Sequence, residues 1–298
     1  MTTPVDVIVV SYNRRDLLDR CLASLRESER AAHVVVVDNA SSDGSAALVS
    51  DQYPEADLIV NETNVGFAAA VNRGVAHGES PLLLLLNNDA TVESTTLDLL
   101  ASALDQAPRI AAVGPRIIGA EGDLELSTGR TMSLCNEAWF KLAKMAGGSR
   151  GWLFGPHLRR HYETDRDTTS LTAACLLVRR EAYEAIAGLD ERFFLYAEDV
   201  DLCRRLRQAD WRLRYVASTT VRHVRGGSGG SDLSGGALAY RDSQVAFYAK
   251  HRGPLSRLIL RAYLEVKYGL GALRGGDTDR AIWKWLRRGL PALTGTRP

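Results

Sequence analysis

The run Leu82-Leu83-Leu84-Leu85-Leu86 constrains the fold more than any other segment. A surface helix or half-exposed strand needs a polar face, and five consecutive leucines offer none. The run therefore reads as a strand buried on both sides, as in a parallel sheet covered by helices. It stops abruptly at Asn87-Asn88-Asp89. In open α/β sheets, ligands bind beyond the carboxyl ends of the strands. A carboxylate at that edge suits a hard divalent cation, and such a cation neutralises a diphosphate. The same triplet also suits a plain turn leading into the next helix.

The flanking sequence repeats this logic. Val5–Ser11, His33–Asp38, Asp57–Val60, Pro81–Leu86 and Ile110–Ile118 read as strands. Helical patterns separate them at 14–28, 44–52, 66–78 and 94–107. Repeated β-α-β units predict a mostly parallel, doubly wound sheet flanked by helices, and the polar end of the leucine strand proposes a nucleotide-binding site at its rim. Beyond residue 120 the pattern loosens. Residues 121–170, with Gly147-Gly148-Ser149 and the aromatics Trp139, Phe140, Trp152, Phe154 and Tyr162, read as a long insertion that partly covers the site. Strand-like sequence resumes at Thr169–Val178, a helix is expected from Glu198, and two short strands at 212–216 and 219–223. Gly226–Ser231 reads as a flexible loop, and residues 237–290 as two or three helices. The expected division is a catalytic domain over 1–235, with halves 1–120 and 121–235, and a helical segment over 236–298.

At 298 residues and a formal net charge of +1, the chain has no overall field that would draw it to nucleic acid. Its four cysteines form no CxxC pair, so neither a zinc site nor a disulfide framework is expected. The sequence begins with strand-like residues rather than a signal peptide, and no apolar run is long enough to cross a bilayer. The expected location is the cytoplasm.

Several polar residues stand where chemistry is expected. Asp38 ends a strand and opens Asp38-Asn39-Ala40-Ser41-Ser42-Asp43-Gly44, where a carboxylate can meet a base or a ribose, and Asp43 suits a helix cap. Asn64-Val65-Gly66-Phe67 precedes an alanine-rich helix that Asn64 can cap, with Arg73 two turns on, able to reach a phosphate or pair with a surface acid. Glu198-Asp199-Val200-Asp201 puts three acids in one first helical turn, where the dipole alone favours them. If the preceding Phe193–Tyr196 packs inside, Asp199 opens into the cleft and can deprotonate a hydroxyl. Asp201 and Arg205 are spaced to form a surface pair. His223 ends a strand, and Arg222 and Arg225 beside it offer charge for a diphosphate.

Taken in order, Val7–Asn13, Val37–Gly44, Asn64–Phe67, Leu86–Asp89, Gly188–Phe194, Glu198–Leu202 and Val221–His223 resemble the family 2 glycosyltransferases of the GT-A fold, and most of all a rhamnosyltransferase-like subgroup active in bacterial surface polysaccharide synthesis. The resemblance spans roughly residues 4–230 and implies specific roles. Ser11, Asn13, Asp38, Asn64, Gly66, Arg73, Asn87, Asn88 and Arg225 would bind a nucleoside-diphosphate sugar with a UDP or dTDP base. Asp89 and His223 would hold Mg²⁺ or Mn²⁺. Asp199, with Glu198 beside it, would be the catalytic base of an inverting transfer to a saccharide or polyprenyl-linked acceptor. The family's metal motif is more acidic than Asn87-Asn88-Asp89, which leaves room for an inactive carbohydrate-binding scaffold. A sugar-phosphate nucleotidyltransferase is the other alternative, although Ser11-Tyr12-Asn13-Arg14-Arg15 stands where its glycine-rich loop would be. Neither a Gln-x-x-Arg-Trp element nor membrane spans appear, so addition of a single sugar is expected.

Residues 250–290 mix many Arg and Lys with Leu, Ile, Tyr and Trp, notably in Trp283-Lys284-Trp285-Leu286-Arg287-Arg288. Such sequence suits peripheral contact with the inner face of a cell membrane, or a cap or homodimer surface.

Overall fold

The computed structural model describes residues 3–129, 132–145, 155, 160–224 and 233–288. A mixed nine-stranded sheet runs through it, comprising β1 (Val5–Ser11), β2 (His33–Asp38), β3 (Asp57–Val60), β4 (Leu82–Asn87), β5 (Ala90–Thr91), β6 (Ile110–Ile118), β7 (Arg166–Thr168), β8 (Cys175–Arg179) and β9 (Arg212–His223). The strand order is β3-β2-β1-β4-β8-β6-β9-β5, with β7 also paired to β9. The first four strands in that order are parallel neighbours. β8 then runs antiparallel between β4 and β6.

The leucine run explains the layering. Leu82, Leu84 and Leu86 enter one core with α1 (Arg15–Arg26), α2 (Ser45–Gln52) and α4 (Thr96–Asp105). Leu83 and Leu85 enter the opposite core with α3 (Phe67–Val75), α6 (Arg180–Ala185) and α7 (Glu198–Gln208). All five are buried, each contributing about 1.5–3 kcal/mol to the drive for folding. β1 alternates the same way, with Val7 and Val9 on one side and Ile8 and Val10 on the other.

A third core joins the C-terminal helices to the body. α8 (Leu233–His251), α9 (Pro254–Leu273) and α10 (Asp277–Arg287) bury Phe247, Leu264 and Ile282 against Phe193 and Ala197, just before α7. α5 (Leu134–Met145) is tied to them by a bidentate pair between Arg241 and Glu137, 3.0 Å in each arm.

The structure corrects four local expectations. Of the expected 169–178 strand only 175–178 join the sheet, as part of β8 (Cys175–Arg179). The backbone N–H groups of Leu171 and Ala173 go instead to Cys203 Sγ (3.3 Å) and Asp199 Oδ2 (3.4 Å) on α7. The two strands expected at 212–216 and 219–223 are one, with a register break where Pro115 and Arg116 of β6 face Val216 and Thr220. Pro115 has no N–H to continue the ladder. Gly66, not Asn64, is the N-cap of α3, and Asn64 Oδ1 instead accepts the Gly66 N–H at 3.0 Å. The Asp201–Arg205 pair forms at 2.6 Å, but Asp201 is fully buried rather than on the surface. Lys250 Nζ (2.7 Å) and His251 Nε2 (2.6 Å) also reach its carboxylate, so it anchors α8 to α7. Of the readings open for 250–290, packing as a cap fits α10: Trp283 and Trp285 are half-buried and Ile282 and Leu286 buried, so its apolar side packs inward. Gly147–Ser149, Trp152, Phe154 and the Gly226–Ser231 loop lie outside the described residues.

Candidate active site

The parallel register aligns the first group of polar residues. Ser11 pairs with Asp38 and Val10 with Asn87, so β2, β1 and β4 end at one rim. Asn88 Nδ2 donates to Ser11 Oγ at 3.3 Å. The loops after β1 and β2 are laced together: Ser42 N–H donates to Asn13 Oδ1 (2.7 Å) and Asn13 N–H to Ser41 Oγ (2.9 Å). Asp38 is buried, and its Oδ1 accepts the Ser41 N–H at 2.9 Å, so part of its capacity shapes its own turn. Gly44, not Asp43, is the N-cap of α2, but the Asp43 carboxylate accepts the first N–H of two helices, from Arg15 (2.9 Å) and Ser45 (3.1 Å).

Behind this rim lies a buried amide network that the sequence did not announce. Asn61 Nδ2 donates to Asn39 Oδ1 (2.9 Å), Asn39 Nδ2 donates to Asn64 Oδ1 (2.9 Å), and Arg73 donates to Asn61 Oδ1 (2.6 Å). Arg73 thus clamps this network, with its side chain otherwise exposed. Gly66, at φ +87° and ψ 169°, sits where only glycine fits. A Cβ there would come within 2.6 Å of Phe194 Cδ2, and the adjacent Phe67 N–H donates to Phe194 O at 2.7 Å. This contact seats the approach to α7 on the Asn64–Gly66 loop.

α7 begins under backbone strain. Tyr196 and Ala197, neither of them glycine, hold φ of +69° and +70° in succession. Strain of about 1–3 kcal/mol per residue is retained where the surroundings fix a functional geometry. It delivers Glu198 and Asp199 to the same rim. Asp199 Oδ1 accepts the Val200 N–H (2.7 Å) and Oδ2 faces Ala173 N–H (3.4 Å). Next along the chain, Ala174 O accepts the Asn87 N–H at 3.1 Å. Glu198 is buried, and its Oε2 has no hydrogen-bond partner among the described residues. Burial, with Asp199 alongside, pushes its carboxyl up to about 8.

The far side of the rim is made by the two-residue strand β5. Its pairing of Ala90 with His223, and the Val224 N–H donated to Asp89 O (2.9 Å), brings His223 beside Asp89. His223 Nε2 lies 3.0 Å from Asp89 Oδ1, and Asn87 Nδ2 lies 3.3 Å from the same ring nitrogen. Glu125 Oε2, which sequence reasoning missed, lies 3.4 Å from His223 Nδ1. An acid in an irregular stretch gives no signal of such a contact. Burial disfavours a charged imidazole, but Asp89 and Glu125 on either side outweigh it and push His223 up to about 9.

Asp89 and His223 fit a divalent cation in part. Asp89 Oδ1 is buried with no well-aligned hydrogen-bond donor among the described residues. Its 3.0 Å spacing from Nε2 is that of neighbouring ligands around an octahedral ion with bonds of about 2.1 Å. Glu125 approaches the opposite ring nitrogen, and among the described residues no group of three or more His, Cys, Asp or Glu is arranged to hold a metal. Two protein ligands are the most this side chain set offers. Arg225 lies outside the described residues.

Known proteins resemble the chain at three levels. Residues 6–187 match the family described as Glycosyl transferase family 2. The N-acetylglucosaminyl-diphospho-decaprenol L-rhamnosyltransferase of Mycobacterium tuberculosis is 32% identical over 292 residues, covering 91% of this chain and 95% of that protein. A mannosyltransferase from Pyrobaculum calidifontis, solved with GDP-Man and Mn²⁺, superposes with a TM-score of 0.56 at 18% identity, over 97% of this chain and 76% of its own. GalNAc-T7, solved with UDP, GalNAc and Mn²⁺, gives 0.58 at 15% identity, over 97% and 56%. At these identities the two structures speak to the fold, which is the GT-A architecture of a mixed sheet with flanking helices and a C-terminal helical extension.

Proposed function

Because the chain belongs to glycosyl transferase family 2, we propose that it moves a single sugar, rhamnose, from a dTDP- or UDP-linked donor to a hydroxyl of a polyprenyl-linked saccharide, with inversion at the anomeric carbon. The sugar and acceptor rest on the rhamnosyltransferase that matches this chain nearly end to end. The chemistry rests on one continuous set of contacts: Asp199 faces Ala173, the adjoining Ala174 bonds Asn87, and Asn87 touches the His223–Asp89 pair.

In this reading Ser11, Asn13 and Asp38 frame the nucleotide, while Asn64, Gly66 and Arg73 hold the loop that backs it. Asn87 and Asn88 face the diphosphate, and Arg225, outside the described residues, would add positive charge for it. Asp89 and His223 would hold Mg²⁺ or Mn²⁺, which supplies charge neutralisation for the departing diphosphate. Asp199 takes the proton of the acceptor hydroxyl as its oxygen bonds to the anomeric carbon. The bond from that carbon to the phosphate oxygen breaks on the opposite face, and the electron pair leaves with the nucleotide. Glu198, held neutral by burial, keeps a second negative charge away from Asp199. Placement of the reaction at the inner face of the cell membrane follows from a lipid-linked acceptor, and a division into a catalytic domain over 1–235 and a helical segment over 236–298 belongs to the same reading.

The test is a transfer assay with a panel of nucleotide sugars and a polyprenyl-diphosphate N-acetylglucosamine acceptor, with the product linkage read by NMR. Rhamnosyl transfer with inverted configuration is expected. Transfer of a different sugar would refute the donor assignment, and a retained configuration would refute the single displacement.

A further inference from the structure

α9 is apolar on two opposite sides. Leu260, Leu264 and Tyr268 are buried against the body of the protein. On the other side Leu255, Leu258, Ile259, Val266, Leu270 and Leu273 are 49–83% exposed. At about 100° per residue all six fall within about 120° of one another, and over the 18 steps from 255 to 273 that face runs about 27 Å. A helix that packs on one side ordinarily turns polar residues outward, so an uncovered apolar stripe of this length marks a contact surface. On the flank of this face, the Tyr263 hydroxyl donates to Glu137 of α5 at 3.4 Å.

Charge identifies the occupant. Residues 252–288 carry nine Lys or Arg against three Asp or Glu, a local charge of +6 in a chain of net +1. Two copies meeting through this stripe would bring like charges together, whereas an anionic lipid surface complements them. Among the described residues no helix is long and apolar enough to span a membrane, so the contact is one of lying on the surface. We propose that the outward face of α9, in a segment whose basic residues outnumber its acids by six, docks the protein in the plane of an anionic bilayer. This assigns the contact to α9, since α10 spends its apolar side inside the protein.

The experiment is vesicle flotation of the full chain with phosphatidylglycerol–phosphatidylcholine and with pure phosphatidylcholine vesicles, at low and high salt, alongside sedimentation equilibrium. Leu258→Glu with Val266→Glu is compared with the wild type after its thermal midpoint is checked, and the milder Leu258→Ser with Val266→Ser serves if that variant is unstable. Flotation at least about tenfold greater on anionic vesicles, weakened by salt and lost in the variant, is the expected result. No flotation on anionic vesicles, flotation indifferent to headgroup charge, or a variant that floats like the wild type overturns the proposal. A wild-type dimer that the variant converts to monomer, without flotation, assigns the stripe to a second copy and also overturns it. None of these readouts depends on sugar transfer, so failure here leaves the catalytic reading to its own test.

Discussion

His223 Nε2 stands 3.0 Å from Asp89 Oδ1, two residues 134 positions apart that the short β5–β9 pairing brings into contact. If they share a cation, Asp89→Ala and His223→Ala each weaken Mn²⁺-dependent donor binding. The loss is at least the roughly 10–100-fold that removing an outer-shell partner costs. Glu125→Gln, acting through the other ring nitrogen, falls within that range. Calorimetric titration of the nucleoside diphosphate with Mn²⁺, then with EDTA, decides it. Wild-type affinity that is the same in both would remove the cation from the account.

Gly66 is fixed by contact as well as by backbone angle. Gly66→Ala must place a methyl within 2.6 Å of Phe194 at a φ of +87°. The expected cost is about 1–3 kcal/mol from backbone strain alone, with more from the clash. Urea denaturation measures it. A variant as stable as the wild type would mean that the Phe194 segment moves aside freely.

Glu198 makes stability depend on pH in an unusual direction for a carboxylate. Its folded value is raised from the ordinary 4.5 to about 8, so the folded state binds the proton more tightly than the unfolded chain. The stabilisation is complete below about 4.5 and is lost as pH rises through 8. Glu198→Gln keeps the neutral amide at every pH. Its thermal midpoint should therefore gain on the wild type between pH 5 and pH 9, at roughly 2–4 °C per kcal/mol for a protein of this size. Parallel melting curves for the two proteins across that range would discount the buried neutral acid.

Asp201 is fully buried with Arg205, Lys250 and His251 around it. Removing one member of a buried ion cluster strands the others, at about 3–5 kcal/mol. Asp201→Ala should therefore destabilise the fold by that order in chemical denaturation and loosen α8 from α7, raising hydrogen exchange in 233–251. Unchanged exchange there would show that the apolar cluster alone holds the C-terminal helices.

What could be read from the sequence follows from the range of the interactions. β4 declared itself because both its faces are leucine, and its end because amides replace leucine at Asn87. Asp38, Asp89 and Asp199 stood out as candidates because each sits at the boundary of a periodic element. Glu125 and the Asn39–Asn61 network were not, because their partners come from other loops and leave no periodic trace. The burial of Asp201 was hidden for the same reason: Lys250 lies 49 residues further on, and only the packing of α8 brings it close. The expected strand at 169–174 failed because side chains of α7 captured backbone N–H groups that a neighbouring strand would otherwise have used.

The most direct measurement is transfer and donor binding by Asp199→Asn, an isosteric change that removes the proton acceptor. With Asp199 as the base, turnover should fall by at least about 10²–10⁴-fold while the dissociation constant for the nucleotide donor stays within about twofold of the wild type. Turnover near the wild-type value, with donor binding intact, would contradict the assignment.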